Sequence, residues 1–288
     1  MKPEKMRKYW HPGLNMYVPS ITSCDVDSKV WLAPWAAKAT LECAMEFSKT
    51  KPVTEWTEED IKWIKKETSR QSERGRDIGT IFHEMSLDGF LKTGAWTSPE
   101  NCKSWGEVCE SARDFSGYEQ MKIAFQEWCD TYLKEVIDVE FVVFGSLFAG
   151  RCDWLGVVSN YAWLTKKAQK TEPEKLFMTY CDLKTSSQYS EFTPLQLSGY
   201  KIGDGRKSPF TAEKLEPGGL IVRVDKDNAV HNITADKKKT VVYTKYIEDL
   251  DAPYQKLMNR VNFIWADTEW EKAFTGVPKS DDVVESEK

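Results

Sequence analysis

The chain has 288 residues, 41% of them hydrophobic and 30% charged, with a net charge of −5, which excludes a disordered polyelectrolyte and suits a soluble globular protein with a sizeable core. No apolar run approaches the roughly eighteen residues of a membrane span, and the N-terminus leads into Tyr9-Trp10-His11-Pro12, not an apolar signal core, so no membrane partner and a cytoplasmic location are expected. Seven cysteines, odd in number and never in a C-x-x-C pair, exclude a disulfide framework and a zinc ribbon and read as small buried groups.

In chain order, residues 17–23 read as a short extended or turn segment, and Val30 to Phe47 as an alanine-rich helix with Pro34 in its first turn. Thr57-Glu58-Glu59-Asp60 has the acids of a helix start, and the helical pattern runs on through Ile64 into the charged stretch Lys65 to Asp77. Ile78, Ile81, Phe82, Met85 and Gly89 share one face of a further helix. Thr93 to Trp105 reads as loop and Tyr118 to Val136 as helix. Glu140 to Val158 predicts two strands joined near Phe148-Ala149-Gly150, and Leu176 to Lys184 a third, with the lysine-bearing excursion Ser159 to Lys175 as a hairpin tip. Thr193-Pro194-Leu195-Gln196 has a helix-start signature, Thr193 as cap and Gln196 closing a capping box. Gly219 to Val224 reads as a strand, Glu248 to Phe274 as an amphipathic helix, and the acidic segment 276–288 as a disordered tail. That order predicts one α/β domain over 1–275, a mixed β-sheet flanked by helices, with a helical elaboration over 1–74, a core over 75–225 and a terminal helix over 248–275.

Chemistry concentrates in two strand-like runs, Ala149-Gly150-Arg151-Cys152-Asp153-Trp154 and Tyr180-Cys181-Asp182-Leu183-Lys184-Thr185. In a strand, residues two apart share a face, so Asp182 and Lys184 stand side by side while Leu183 points away. Two acids on apolar strands suit a hard cation such as Mg²⁺ or Mn²⁺, and a lysine beside them can orient or deprotonate a water or offset charge on a phosphate, as metal-dependent phosphodiester cleavage requires. Each acid taken singly is more often structural; together in buried-looking strands they demand partners. His83 lies one helical turn after Gly79, where the missing side chain leaves room for the imidazole to reach a metal or phosphate; Glu84 follows, but no second histidine completes a zinc-peptidase motif. Gln196 and Tyr200 stack on one helix face, either to touch phosphate and support Lys184 or as capping and core residues. Glu140 is a further possible carboxylate ligand. No G-x-x-x-x-G-K-[ST] loop occurs, so ATP is not expected as a cofactor.

The ordered set Gly79-x-x-x-His83, Gly150-x-x-Asp153, Asp182-Leu183-Lys184-Thr185-Ser186 and Gln196-x-x-x-Tyr200 resembles the RecB-like branch of the PD-(D/E)XK nuclease superfamily over roughly residues 75 to 225. Val18-Pro19-Ser20-Ile21-Thr22-Ser23, Trp35-Ala36-Ala37-Lys38 and Gly218 to Val224 look like the flanks of compact phage-encoded exonucleases of that branch. The resemblance implies an αβββαβ core and cleavage of DNA with Mg²⁺ or Mn²⁺. His83, Asp153, Asp182 and the Leu183 carbonyl would hold metal, Lys184 would be the catalytic lysine, and Gln196 and Tyr200 the supporting helix residues. The branch's iron–sulfur variants need cysteines after the lysine; none follows Cys181, so no cluster is expected. An exonuclease at DNA ends in phage replication or recombination is the leading expectation, with a single-strand-binding or recombination protein as a candidate partner and the host cytoplasm as location. The alternatives are a structure-selective or single-strand endonuclease, and a non-catalytic DNA-binding recombination accessory protein. Arg70, Arg74, Arg76, Lys166, Lys167 and Lys201 are the expected DNA path, with Trp31, Trp35 or Trp154 available to stack on bases. The net acidity weighs against strong duplex binding, although the tail carries −2 of it and the local field of a cleft matters more.

Overall fold

The computed structural model describes residues 7–24, 32–186, 192–205 and 218–266. A small antiparallel hairpin opens it, β1 (Lys8–His11) with β2 (Met16–Pro19), turning through Asn15 at φ 52°. Three helices follow: α1 (Leu32–Thr50), α2 (Glu58–Lys65) and α3 (Glu67–His83). Thr57 and Asp60 close a reciprocal capping box on α2, satisfying two amide groups that the first turn leaves unpaired. Beyond His83 the chain widens into a π-helical stretch, Glu84–Leu91. Then come α4 (Glu110–Arg113), α5 (Tyr118–Tyr132), β3 (Leu133–Phe144), β4 (Ala149–Ser159), β5 (Leu176–Lys184), α6 (Thr193–Asp204), β6 (Gly218–Val224), α7 (Lys226–Thr234), β7 (Val242–Ile247) and α8 (Asp251–Ala266).

The five longer strands form one mixed sheet in the order β3-β4-β5-β6-β7. β3, β4 and β5 run antiparallel in turn, β5 and β6 run parallel with α6 as the crossover, and β7 returns antiparallel. This is the expected mixed sheet flanked by helices. One face carries Trp154, Val158, Cys181, Leu183 and Val222 against Phe82 and Phe125 of α3 and α5. The other carries Leu155, Met178, Tyr180 and Ile221 against Leu197 and Tyr200 of α6 and Leu257 and Val261 of α8. Burial on both faces explains why β4 and β5 read as nearly continuous apolar runs. All seven cysteines are free, and five of them are buried as small core groups. Among the described residues, no helix is long and apolar enough to cross a membrane.

Several local expectations are corrected. The helix expected through Val136 stops at Tyr132, and Leu133 to Val136 join β3 opposite Val158 to Gly156. Pairing of Leu133, Glu135 and Val136 with β4, across a register shift on either side of the Glu135-Val136 pair, outweighs the helical pattern there. β3 therefore begins seven residues before Glu140, which lies inside the strand and not at its start. Thr193 is the first helical residue of α6, not its cap: Phe192 takes that position without a side-chain bond, and the buried Thr193 hydroxyl has no partner. Gln196 is buried, and its amide hydrogen goes to the Phe192 carbonyl, so no capping box forms. Trp154 is fully buried and cannot stack on a base. β1, α7 and β7 had no sequence-based expectation. Trp31, the Trp35 side chain, the continuation of α8 toward Phe274 and the acidic tail lie outside the described residues.

Candidate metal and phosphodiester site

The site forms where the β4–β5 ladder opens. Paired residues run from Ser159↔Leu176 to Trp154↔Cys181 and stop one position short of Asp153 and Asp182. The next amide that the ladder would have used, Leu183 N–H, is taken by the Asp153 carboxylate, which accepts its hydrogen bond at 2.6 Å. The carbonyl of the same residue accepts from His83 Nε2–H at 2.9 Å. Strand β5 thus hands one backbone amide to an acid from β4 and one carbonyl to a histidine from α3.

Helix α3 reaches that carbonyl because of glycine. A Cβ at Gly79 would stand 2.8 Å from Thr185 Oγ1, so any larger residue would push α3, and His83 one turn on, away from the end of β5. Gly150 does the same on the opposite face: a Cβ there would meet Ile21 Cδ1 at 2.6 Å and the Tyr200 ring at 2.9 Å. Tyr200 is thereby held close enough to Asp182 and Asp153 for both to push its hydroxyl well up, after burial itself.

Glu140, the further possible ligand, joins the site through an unusual backbone. It has φ 55°, a left-handed conformation for a non-glycine residue within a strand, at a cost on the order of 1–2 kcal/mol. The flanking pairs Val139↔Trp154 and Phe141↔Cys152 set it across from Asp153. One ligand atom each from His83, Glu140 and Asp153 lies within 4.8 Å of the others. Asp182 is not in this triad. Its carboxylate is held by Lys184, whose ammonium is 2.8 Å from each oxygen, with the hydrogen bond directed at Oδ1 and Oδ2 left without one. Of the expected ligands His83, Asp153, Asp182 and Glu140, the structure clusters His83, Asp153 and Glu140 and leaves Asp182 on Lys184.

Electrostatics follow from burial. Burial and then the Lys184 charge push His83 down to about 4, so the imidazole is neutral; its Nε2–H donates to the Leu183 carbonyl, and the lone pair of that nitrogen becomes available to a metal when the hydrogen moves to Nδ1. Burial pushes Glu140 up to about 7 against the pull of Arg151, with Asp153 and Asp88 adding to the rise. Asp182 is pushed up to about 6 by burial, opposed by Lys184 and reinforced by Asp153. Asp153 is also raised by burial, against Lys184 and the Leu183 amide. Burial pulls Lys184 down, but Asp182 and Asp153 outweigh it and its net shift is upward, so the ammonium stays protonated.

The donor set fits a hard divalent cation. Two carboxylates, an imidazole and a carbonyl are ligands that Mg²⁺ or Mn²⁺ accepts, and one ligand atom each from His83, Glu140 and Asp153 lies close enough to share one ion. Crowded carboxylates raised by burial are the electrostatic deficit that such an ion removes.

The site opens into a cleft of about 580 Å³ lined by Arg76, Gly79, Thr80 and His83 of α3, by Glu140 and Arg151, and by Thr185. Of the cations expected to contact DNA, Arg76 lines this cleft. Arg70 is paired with Glu67 at 2.6 Å and lies over Trp63, and Arg74 donates to the Ser111 carbonyl. Lys166 and Lys167 sit in the β4–β5 connection, at the end of the hairpin away from Asp153, about 20 Å along the strand. Lys201 is largely buried on α6, 3.9 Å from Asp251. The structure does not bring Lys166, Lys167 or Lys201 to the cleft. Three cations outside the expected set are at or near it: Arg151 and Lys103, which line it, and Lys226, which reaches the Thr185 carbonyl at 3.4 Å. Arg151 carried one readable signal, as the one charged residue between Gly150 and Asp153 on an apolar strand.

Neither a scan against protein-family models nor a search of curated proteins returned a match for this chain.

Proposed function

We propose that the protein is a Mg²⁺- or Mn²⁺-dependent deoxyribonuclease with a PD-(D/E)XK-type core, acting as an exonuclease on DNA ends. The observation that carries this reading is the convergence of His83, Glu140, Asp153 and the Leu183 carbonyl beside a protonated lysine at the open end of the β4–β5 ladder. The order α3, β3, β4, β5, α6, β6, with β5 and β6 parallel, is compatible with the αβββαβ arrangement that the sequence resemblance implies.

A divalent cation bound by these residues supplies a water of lowered pKa and compensates charge on the scissile phosphate. The chain's own groups do the rest. Neutral His83 and the two carboxylates orient the centre from three elements. Lys184, kept as an ammonium by Asp182 and Asp153, serves as a fixed positive charge for the developing phosphorane oxygens and not as a base. Asp182 positions that ammonium. Tyr200, wedged against Gly150, backs the two strands from the α6 side, and Gln196 is buried one helical turn before it. Arg76 and Arg151 give the cleft donors for a phosphodiester backbone.

The test is incubation with end-labelled linear and closed circular DNA, single- and double-stranded, in Mg²⁺ or EDTA, with Lys184→Ala in parallel. Metal-dependent loss of linear DNA with circles intact, reduced at least about a hundredfold in the variant, is the expected result. Cleaved circles would make it an endonuclease. Cleavage in EDTA, or by Lys184→Ala at the parental rate, would refute the site.

A further inference from the structure

Ten of the eleven residues of β4 are buried, and Arg151 is the exception. A strand covered on both faces exposes an arginine only where the cover is missing, and here the gap is the cleft beside His83, Glu140 and Thr185. Arg151 Nε lies 2.8 Å from Glu140 Oε2, the arginine side chain 46% exposed and the glutamate 17%. The three clustered donors are therefore satisfied in different ways. Asp153 accepts from a backbone amide and His83 meets a backbone carbonyl, both fixed by β5. Glu140 is held by a cation on a long, half-exposed side chain that can leave.

We propose that Arg151 is a ligand for the substrate phosphate that is parked on Glu140 until the metal centre is loaded. The inference rests on the reading of that centre as a metal site acting on a phosphodiester. Three carboxylates, the buried Asp153 and Asp182 and the partly exposed Glu140, face two cations, Lys184 and Arg151, and Glu84 and Asp88 on the cleft wall are matched by Arg76 and Lys103, so with all groups ionised the cluster has an excess of one negative charge before loading. A divalent cation reverses that excess and repels the guanidinium from Glu140, because both cannot lie within ion-pair distance of one carboxylate without mutual Coulomb cost. The guanidinium then faces the open cleft with its planar fork of donors unpaired, a geometry that matches phosphate oxygens two at a time. The same arginine thus weakens idle metal binding and strengthens the complex with both metal and substrate present.

The test separates these two halves. Mn²⁺ is titrated into metal-free protein without DNA, by calorimetry or by the paramagnetic signal of free Mn²⁺, for wild type, Arg151→Met and Arg151→Lys. Arg151→Met is expected to bind Mn²⁺ about three- to tenfold more tightly, since a half-exposed competing ion pair is removed. Binding of a short labelled single-stranded oligonucleotide in Ca²⁺, followed by anisotropy, is expected to weaken about tenfold in Arg151→Met and less in Arg151→Lys. Unchanged or weaker Mn²⁺ binding by Arg151→Met would make Arg151 a support for Glu140 and overturn the parking. Unchanged oligonucleotide affinity would overturn the phosphate role. A wild-type protein that binds no Mn²⁺ at all would remove the metal-site reading itself, a result distinct from both.

Discussion

Replacing Glu140 by Gln isolates the energetic cost of the site. Burial lifts this carboxyl from an ordinary 4.5 to about 7, and each tenfold change in acidity is about 1.4 kcal/mol, so keeping it ionised costs the folded state up to about 3 kcal/mol. The side chain retains 17% exposure, and solvent screening trims the figure to about 2–3 kcal/mol. Because the folded value lies above the unfolded one, the native state holds the proton more tightly. The stability this contributes is complete below about pH 4.5 and is lost as pH rises through 7. Glutamine keeps the shape and the hydrogen-bonding oxygen but cannot ionise. In EDTA at pH 8.5, Glu140→Gln should therefore be the more stable protein, by about 5 °C in Tm, with the advantage closing to nothing near pH 4.5. Thermal or denaturant unfolding across that range measures it. Added Mn²⁺ should reverse the order, stabilising wild type by mass action and the variant little. A variant less stable than wild type at pH 8.5, or a difference that ignores pH, would mean that the Arg151 pair outweighs burial and would refute the reasoning.

Two further outcomes follow from the same geometry. Gly79→Ala places a Cβ 2.8 Å from Thr185 Oγ1; it should cost about 1–2 kcal/mol of stability and weaken Mn²⁺ binding by displacing His83, and Thr185→Ala in the same chain should restore much of both, as denaturant melts and metal titrations of the double-mutant cycle will show. Mn²⁺ affinity in wild type should fall as pH drops from 8 to 6, because Glu140 takes up a proton near 7 while His83, at about 4, stays neutral; calorimetric titrations at intervals of half a pH unit would expose a flat profile, which contradicts Glu140 as a ligand.

Features governed by the covalent repeat of the chain were legible in advance. The two-residue period of a strand put Asp182 and Lys184 on one face, and the structure has their charges in contact. The four-residue spacing of a helix put Gly79 beneath His83, and the glycine is where α3 meets Thr185. Thr57 with acids after it announced the start of α2. Failures came where a local pattern met a stronger tertiary demand. Leu133 to Val136 joined a strand because β4 offered them partners, and Thr193 lost its capping role because Phe192 took the position ahead of it.

The sequence by itself thus determined the strands β4, β5 and β6 and most of the longer helices, the alternation of acid and lysine on β5, and the glycine that lets a histidine approach. Only the tertiary structure decided which carboxylates meet. Glu140 and Asp153 are joined by the β3–β4 register and a positive φ at Glu140, and Asp153 bonds to Leu183 across a ladder that ends one pair early. The direction of the β4–β5 hairpin carried Lys166 and Lys167 to its far end, and the gap in the cover of β4 left Arg151 in the cleft. The physical reason is range: side-chain direction follows from bond geometry over two to four residues, whereas the meeting of positions 83, 140, 153 and 183 depends on strand order and register, which the burial of two apolar clusters sets across the whole sheet.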